Sequence, residues 1–274
     1  MILRVYLWPA GLLSMILCLC PARADQPVMN EVPRWNGGYG GQIFQEFRWS
    51  DDVMRGSIDL PNPDKLRYEE HITSFEGVYT WHKSIRVTAK IPYVNKRRIA
   101  VNTDGSSQWQ KSNGLDDTKL AIPIRKYRNR RHYSGHMGIV PQLRFGGDSG
   151  DAYRISDGSV DYAMGVSFES ESAGFKISMG GTYWWEQESG QDDDWAASME
   201  LGYNYHDRGA AAWRMDYVDD GNKYAWLAGG PVLFWNFNDV VLGRIEYKFP
   251  FYENVDDSGL ARGQVIRLGL GAVF

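Results

Sequence analysis

Apolar residues recur at every second position through most of the chain. The last nine residues, IRLGLGAVF, show it clearly: Ile266, Leu268, Leu270, Ala272 and Phe274 share one face, and Arg267, Gly269, Gly271 and Val273 the other. Period two over this length predicts a strand whose faces meet different environments. The pattern returns in VDYAMGVSF, where Val160, Tyr162, Met164, Val166 and Phe168 oppose Asp161, Gly165 and Ser167. In WAASMELGYNYH, Met199, Leu201, Tyr203 and Tyr205 oppose Glu200, Asn204 and His206; in LGRIEYKFPF, Ile245, Tyr247, Phe249 and Phe251 oppose Arg244, Glu246 and Lys248. From Trp35 onward helical periodicity is nearly absent. Strands are predicted over 38–49, 70–81, 84–94, 116–127, 132–145, 159–170, 173–185, 195–206, 209–218, 222–235, 239–251 and 263–274. That makes about twelve, most longer than ordinary globular strands and matched to a tilted bilayer crossing of ~9–11 residues.

The connections alternate in length. Long ones are expected near 50–69, 95–115, 146–158, 186–194 and 252–262, with DDGNK (219–223) the brief member of that set. Short ones are HKS (82–84), RNRR (128–131), ESA (171–173), DRG (207–209) and NFND (236–239). Short turns at one end and longer loops at the other are the habit of outer-membrane barrels, and an even strand count returns both termini to the short-turn side. A soluble sandwich also alternates, but full charges repeated in mid-strand on the second face fit a wet or ion-paired lumen better than a protein core. The fold expected is an all-β, transmembrane, antiparallel up-and-down barrel of about 12 strands. Trp81 and Tyr133 at the short-turn end, and Tyr183, Trp185, Trp195 and Tyr224 at the other, are expected to form interfacial girdles.

The front of the chain changes the picture of where this barrel goes. Arg4 supplies a positive start, Val5 to Leu19 an apolar run, and Ala22-Arg23-Ala24 a small-x-small cleavage site, which predicts a signal peptide over 1–24. A periplasmic segment over 25–37 then precedes the barrel at 38–274. Cleavage removes Arg4, Arg23 and both cysteines, Cys18 and Cys20, leaving 28 basic against 34 acidic residues, a net −6. A thiol-free mature chain excludes disulfides and Cys-ligated metal. No later stretch has the roughly 18 apolar residues of a spanning helix. The cell outer membrane of a Gram-negative bacterium is the expected location, with outer-membrane lipid, lipopolysaccharide and the barrel-assembly machinery as partners. The net charge and the lack of a Gly-rich phosphate loop argue against nucleic acid.

Three stretches carry a family resemblance: RVTAKIPYV (86–94), GLDDTKLAIPIRKY (114–127) and IVPQLRFGGDSGD (139–151). Together they resemble the outer-membrane family of MetA-pathway phenol-degradation transporters and, more distantly, FadL-type channels for hydrophobic compounds. Asp116 stands where the family pattern has glycine. The resemblance implies passive uptake of a small, hydrophobic or aromatic solute, with no defined set of substrate residues.

Parity assigns candidate residues. Arg86, Lys90, Lys119, Arg125, Arg144, Arg214, Arg244, Lys248 and Arg267 are expected to point inward, as are Asp161, Glu169, Glu200, Asp216 and Glu246, together with Glu46 and Glu76. Such a lining either tunes a permeation path or closes a narrow barrel with cross-strand ion pairs. Pro92, Pro123 and Pro141 fall on consecutive predicted strands, with Pro231 and Pro250 elsewhere. A closed barrel has no free edge, so each missing N–H demands a bulge or break, read either as a lateral exit for solute or as mere curvature. Ile266, Leu268, Leu270 and Phe274 form the expected assembly signal. No cofactor, catalytic or metal site is expected: His132 and His136, four apart on a strand, sit about 13 Å apart. HYSGH (132–136), with Ser134, is the one cluster fit for a lipid-modifying enzyme. The acidic tips GDSGD, ESGQDDDW, VDDGN and NVDDSG are solvated loops or divalent-cation holders.

Overall fold

In the computed structural model, residues 37–101, 106–147, 155–156, 158–187, 193–205, 209–221 and 224–274 are described. The expected signal peptide and all but the last residue of the segment 25–37 lie outside them, as do His206 and most of GDSGD and ESGQDDDW. In chain order the strands are β1 (Gly38–Ser50), β2 (Val53–Gly56), β3 (Ile58–Leu60), β4 (Tyr68–His82), β5 (Ile85–Val101), β6 (Ser107–Leu115), β7 (Thr118–Ala121) and β8 (Ile124–Arg130). They continue with β9 (Tyr133–Phe145), β10 (Val160–Ser172), β11 (Phe175–Trp185), β12 (Asp194–Asn204), β13 (Gly209–Asp219), β14 (Tyr224–Asn236), β15 (Val241–Leu260) and β16 (Gln264–Val273). No helix occurs among the described residues.

These strands make twelve wall positions, because β6, β7 and β8 are successive pieces of one strand and the small β2–β3 hairpin is an addition to β15. Neighbours in sequence are antiparallel neighbours in space, and β16 closes on β1 from Gly40↔Val273 to Trp49↔Gln264. The seam is extended by Tyr39 N–H to Phe274 O (3.0 Å) and Phe274 N–H to Tyr39 O (2.8 Å), with the two rings stacked 5.5 Å apart. The terminal aromatic is thus part of the closure.

Burial is inverted relative to a soluble protein. Asp161 and Glu246 are 0% and 1% exposed, while Phe75 and Leu270 are 55% and 58% exposed. In water that arrangement would forfeit ~1.5–3 kcal/mol for each large apolar side chain left outside and cost several kcal/mol per buried ion before pairing. It is stable where hydrocarbon wets the outside and water or counter-charges fill the inside. Ile266, Leu268, Leu270 and Phe274 all lie on the outward face, and Leu268, Leu270 and Phe274 are strongly exposed.

Two expected loops are strand instead. The stretch 95–115 is mostly a ribbon in which β5 and β6 remain paired from Tyr93↔Leu115 to Val101↔Ser107. The stretch 252–262 is the outer half of β15, which pairs with β14 as far as Tyr224↔Val255 and then with β2. Both carry charged residues on both faces, Lys96, Arg97 and Arg98 in one and Glu253 and Asp256 in the other, and read as loops because no apolar alternation marks a strand that stands in water. The expected strand 116–127 is interrupted at Asp116–Asp117 and at Ile122–Pro123. Tyr224 is also corrected: it packs with Ala196, Val218, Trp226, Ala228 and Val265 inside the barrel rather than joining an outer girdle.

Candidate functional site

The inward face is set by parity and by two bulges that reset it. On β6 the even residue Ser112 is buried; on β7 and β8 it is the odd residues Pro123 and Arg125. The switch is a one-residue slip: β5 pairs Tyr93↔Leu115 above the interruption and Lys90↔Lys119 below it. A second slip, between Leu227 and Ala228 opposite β15, turns Glu253 inward.

Arg86, Arg125, Arg144, Asp161, Glu200, Arg214, Asp216, Arg244, Glu246 and Lys248 are buried toward the lumen, and Lys90, Lys119, Glu169 and Arg267 are half-buried on the same face. They gather into three groups. In the first, Lys248 joins Asp216 and lies 2.7 Å from Glu246, Glu246 takes Arg244 at 2.8 Å, and Arg214 holds Asp216 at 3.0 Å. Arg267 links this girdle to Glu46 on β1, which also binds Arg48; Arg48 reaches Glu70 at 3.0 Å, and Lys96 reaches Glu70 at 3.1 Å. In the second, near the short-turn end, Lys176 bridges Glu169 (3.5 Å) and Glu200 (3.7 Å), and His136 Nδ1 stands 3.7 Å from Glu169. On the adjoining wall Gln42 donates to Glu76, and Lys90 lies 3.7 Å from it.

The third group centres on Arg144. Its guanidinium meets Asp161 at 2.9 Å, Asp117 and Asp194 each at 3.3 Å, and Glu186. It also stacks 4.9 Å from the ring of Trp184, which Lys119 approaches at 5.8 Å. Asp117 accepts a 2.5 Å hydrogen bond from Ser156, whose hydroxyl in turn accepts from Gly147 N–H at 2.8 Å. One cation therefore gathers the β6–β7 interruption, the connection after β9 and the connection after β11. Glu186, in that last connection, has its pKa pushed up to about 7 by burial, against the pull of Arg144 and with help from Asp194.

Between the girdle and this hub lies a cavity of about 340 Å³, lined by equal numbers of acidic and basic side chains together with Ile72, Pro92, Ile155, Val218, Trp226 and Val265. Toward the short-turn end the lumen carries an apolar floor of Phe44, Val78 and Leu242, with Phe234 and Val273 against it. Arg244 stacks on Phe234 at 4.7 Å. Gly269 makes room for Phe44, since a Cβ there would stand 2.5 Å from the ring.

The prolines surround one strand. Pro92 O accepts from Asp116 N–H at 3.0 Å and Pro141 O from Ile122 N–H at 3.0 Å, while Pro123 O accepts from Arg86 N–H at 3.2 Å. On an antiparallel strand the N–H and C=O of a residue point to the same side, so each ring removes a donor from a seam flanking β6–β8. β8 retains only the Ile85↔Ile124 pair with β5. Two further hydrogen bonds, Arg86 N–H to Pro123 O and Arg125 N–H to Ser84 O, complete that seam.

Sequence parity missed several lining residues. Arg48, Glu70 and Lys176 follow the plain alternation of their strands and were passed over; Lys96, Asp117, Glu186, Asp194, Glu253 and Arg262 sit in stretches read as loops or beside strand ends, where a bulge or a connection decides the direction. HYSGH is not assembled as a one-faced cluster: His132 lies in the turn between β8 and β9, while His136 faces Glu169 and the ring of Tyr127, 5.2 Å away.

No protein-family model matches the chain, and no curated protein matches it in sequence. Among solved structures, the COG4313 outer membrane channel from Pseudomonas putida F1 is similar at a TM-score of 0.70 and 12% identity, over 88% of this chain and 96% of that one. The KdgM porin is similar at a TM-score of 0.50 and 9% identity, over 85% and 99%. What is shared at such identities is the barrel fold.

Proposed function

We propose that this barrel is a passive channel of a Gram-negative outer membrane for small solutes, hydrophobic or aromatic in character, in the manner of the MetA-pathway family that its sequence resembles. The observation that supports this most is the cavity. It combines charged groups, able to hold water, with aliphatic and indole surface, inside a wall whose outside suits lipid. The long connections face the exterior, lipopolysaccharide surrounds the outer rim, and the β16 face with Ile266, Leu268, Leu270 and Phe274 is what the assembly machinery reads.

The apolar floor at Phe44 and the depleted hydrogen bonding around Pro92, Pro123 and Pro141 favour a sideways exit through β6–β8 over passage straight to the periplasm. Leu120 and Leu143 are opposed partners on β7 and β9, at a spacing that suits a disulfide. Oxidation of a Leu120→Cys/Leu143→Cys variant is expected to slow uptake of a hydrophobic solute, with reduction restoring it. Equal uptake by the oxidised and reduced forms rules the lateral path out. The girdle from Glu46 to Lys248 favours a second reading, a structural barrel sealed by ion pairs. Steady conductance in planar bilayers supports the channel, and an electrically silent, correctly folded barrel supports the seal.

A further inference from the structure

Among the described residues, Arg262 stands outside the ion pairs of the lumen. Arg262 sits in the three-residue turn between β15 and β16, which is fastened down onto the wall. Arg262 N–H and Gly263 N–H donate to Glu253 Oε1 at 2.8 and 3.1 Å, Ala261 N–H to Asp52 O at 2.9 Å, and Tyr224 Oη donates to the same Glu253 oxygen at 2.6 Å. Gly263 has φ +70°, and a Cβ there would stand 2.0 Å from Trp49 O, so the turn has one tight geometry. That geometry lays the Arg262 guanidinium 4.9 Å from the Trp226 ring.

Both groups line the cavity, and both lack an acceptor among the described residues. Arg262 makes no side-chain ion pair or hydrogen bond there. Trp226 is 4% exposed, and its Nε1–H has no partner. The carboxylates whose charge acts most on Arg262 are already engaged, Glu46 by Arg48 and Arg267 and Glu70 by Arg48 and Lys96, and Glu253 holds the turn. Burial and the neighbouring Arg48 lower the pKa of Arg262, against the pull of Tyr224, Glu46 and Glu70, the direction expected of a cation short of negative charge. A buried donor without an acceptor costs about 1–3 kcal/mol; the Trp226 N–H is such a donor, and with the half-buried Arg262 guanidinium beside the same void it makes a place for an anion. Val218 and Val265, packed against Trp226, give the same place an apolar wall.

We propose that Arg262 and Trp226 form a lumenal subsite for a small carboxylate with an apolar body, of the size and shape of benzoate. The carboxylate takes the guanidinium edge, a charge-assisted and geometrically specific pairing, and the indole N–H, while the ring lies against Val218 and Val265. The cavity is at the lower end of the ~300–1,000 Å³ typical of ligand sites, which suits one ring rather than several. This deepens the channel reading and rests on it for its biological use, although binding is measurable without transport.

The test is calorimetric titration of the full barrel, in detergent micelles at neutral pH, with benzoate, acetate and benzyl alcohol. Benzoate is expected to bind at least tenfold tighter than either comparison compound. Arg262→Gln is expected to weaken benzoate by tenfold or more, and Trp226→Phe, which keeps a ring under the guanidinium but removes the N–H, by several-fold. Should Arg262→Gln fail to regain the folded, heat-modifiable gel band, Trp226→Phe alone decides. Absence of benzoate binding at millimolar concentration, equal binding of benzoate and benzyl alcohol, or unchanged affinity in the folded variants overturns the subsite. Conductance of the same preparations separates the two readings: a conducting barrel that ignores benzoate keeps the channel and loses the subsite, and a silent barrel that binds it does the reverse.

Discussion

Replacing Arg144 by methionine should unlatch the outer lumen without unfolding the barrel. Arg144 is the shared counter-ion of Asp117, Asp161, Glu186 and Asp194, all within 3.3 Å of its guanidinium nitrogens. Removing one partner of a buried ion pair costs about 3–5 kcal/mol, and here the loss leaves four carboxylates facing one another. Two such charges ~4 Å apart repel by about 4 kcal/mol at an effective dielectric constant near 20. The wall should hold, because β9 keeps its full register with β10 from Val160↔Phe145 to Glu171↔Ser134. The strain should instead push the connection after β11 away from the wall, beginning with the Gln187 N–H to Asp161 bond of 3.0 Å. A Gln187→Cys label, in a mature chain expected to have no other thiol, reports this through its rate of reaction with a charged maleimide. At pH 7.5 the rate in Arg144→Met should exceed that of the parent by at least tenfold, about 1.4 kcal/mol of the penalty. Acid should slow labelling of the parent relative to an exposed-thiol control. Glu186 has a folded pKa of about 7, above the ordinary 4.5, so the latched state binds its proton more tightly than the released one. The latch is therefore firmer below pH 4.5 and loses stability as pH rises through about 7. A ratio near one at pH 7.5 would refute the latch.

Three further outcomes follow from the geometry. Phe44→Ala opens the apolar floor and should raise single-channel conductance while shifting thermal stability by roughly 3–5 kcal/mol; an unchanged conductance would place the constriction elsewhere. Gly263→Ala, forced against Trp49 O at a positive φ, should lower stability by over 1 kcal/mol and weaken benzoate binding by displacing Arg262; parent-like titration curves would refute the turn's role. Phe274→Ala removes the stack on Tyr39 and the last outward ring of β16, and should reduce the amount of assembled barrel in cells more than the yield of refolding in detergent. Equal losses in both would assign Phe274 to closure alone.

The wall could be read from the sequence because lipid and lumen impose opposite chemistry on alternate residues, and strands such as β10 and β16 display it without interruption. The lining could be read as far as that alternation held. It failed where the wall leaves the bilayer: β5 beyond Val94 and β15 beyond Phe251 lose their apolar face to water, and their pairing cannot be inferred from hydropathy. It failed again at the slips near Asp116 and Leu227, where one added residue reverses which side chains look inward. Asp117, Glu253 and Arg262 were therefore invisible, although they help to build the outer lumen. Glu186, in a connection, gives no parity signal. Only the folded chain brings it to Arg144, 42 residues away in sequence.

The β5–β6 ribbon gives the molecule a stiff arm. Nine successive register pairs, eight steps of ~3.3 Å, carry it up to ~26 Å from Tyr93↔Leu115 to Val101↔Ser107, with β4 bracing its lower part as far as Tyr68↔Arg98. In the orientation proposed above, an antibody or phage arriving from outside would touch this mast before it reached the mouth of the barrel. A fluorophore or epitope grafted at Gln108, opposite Ala100 near the ribbon's far end, would accordingly sit clear of the lumenal cavity and give a handle for counting these proteins without touching its lining.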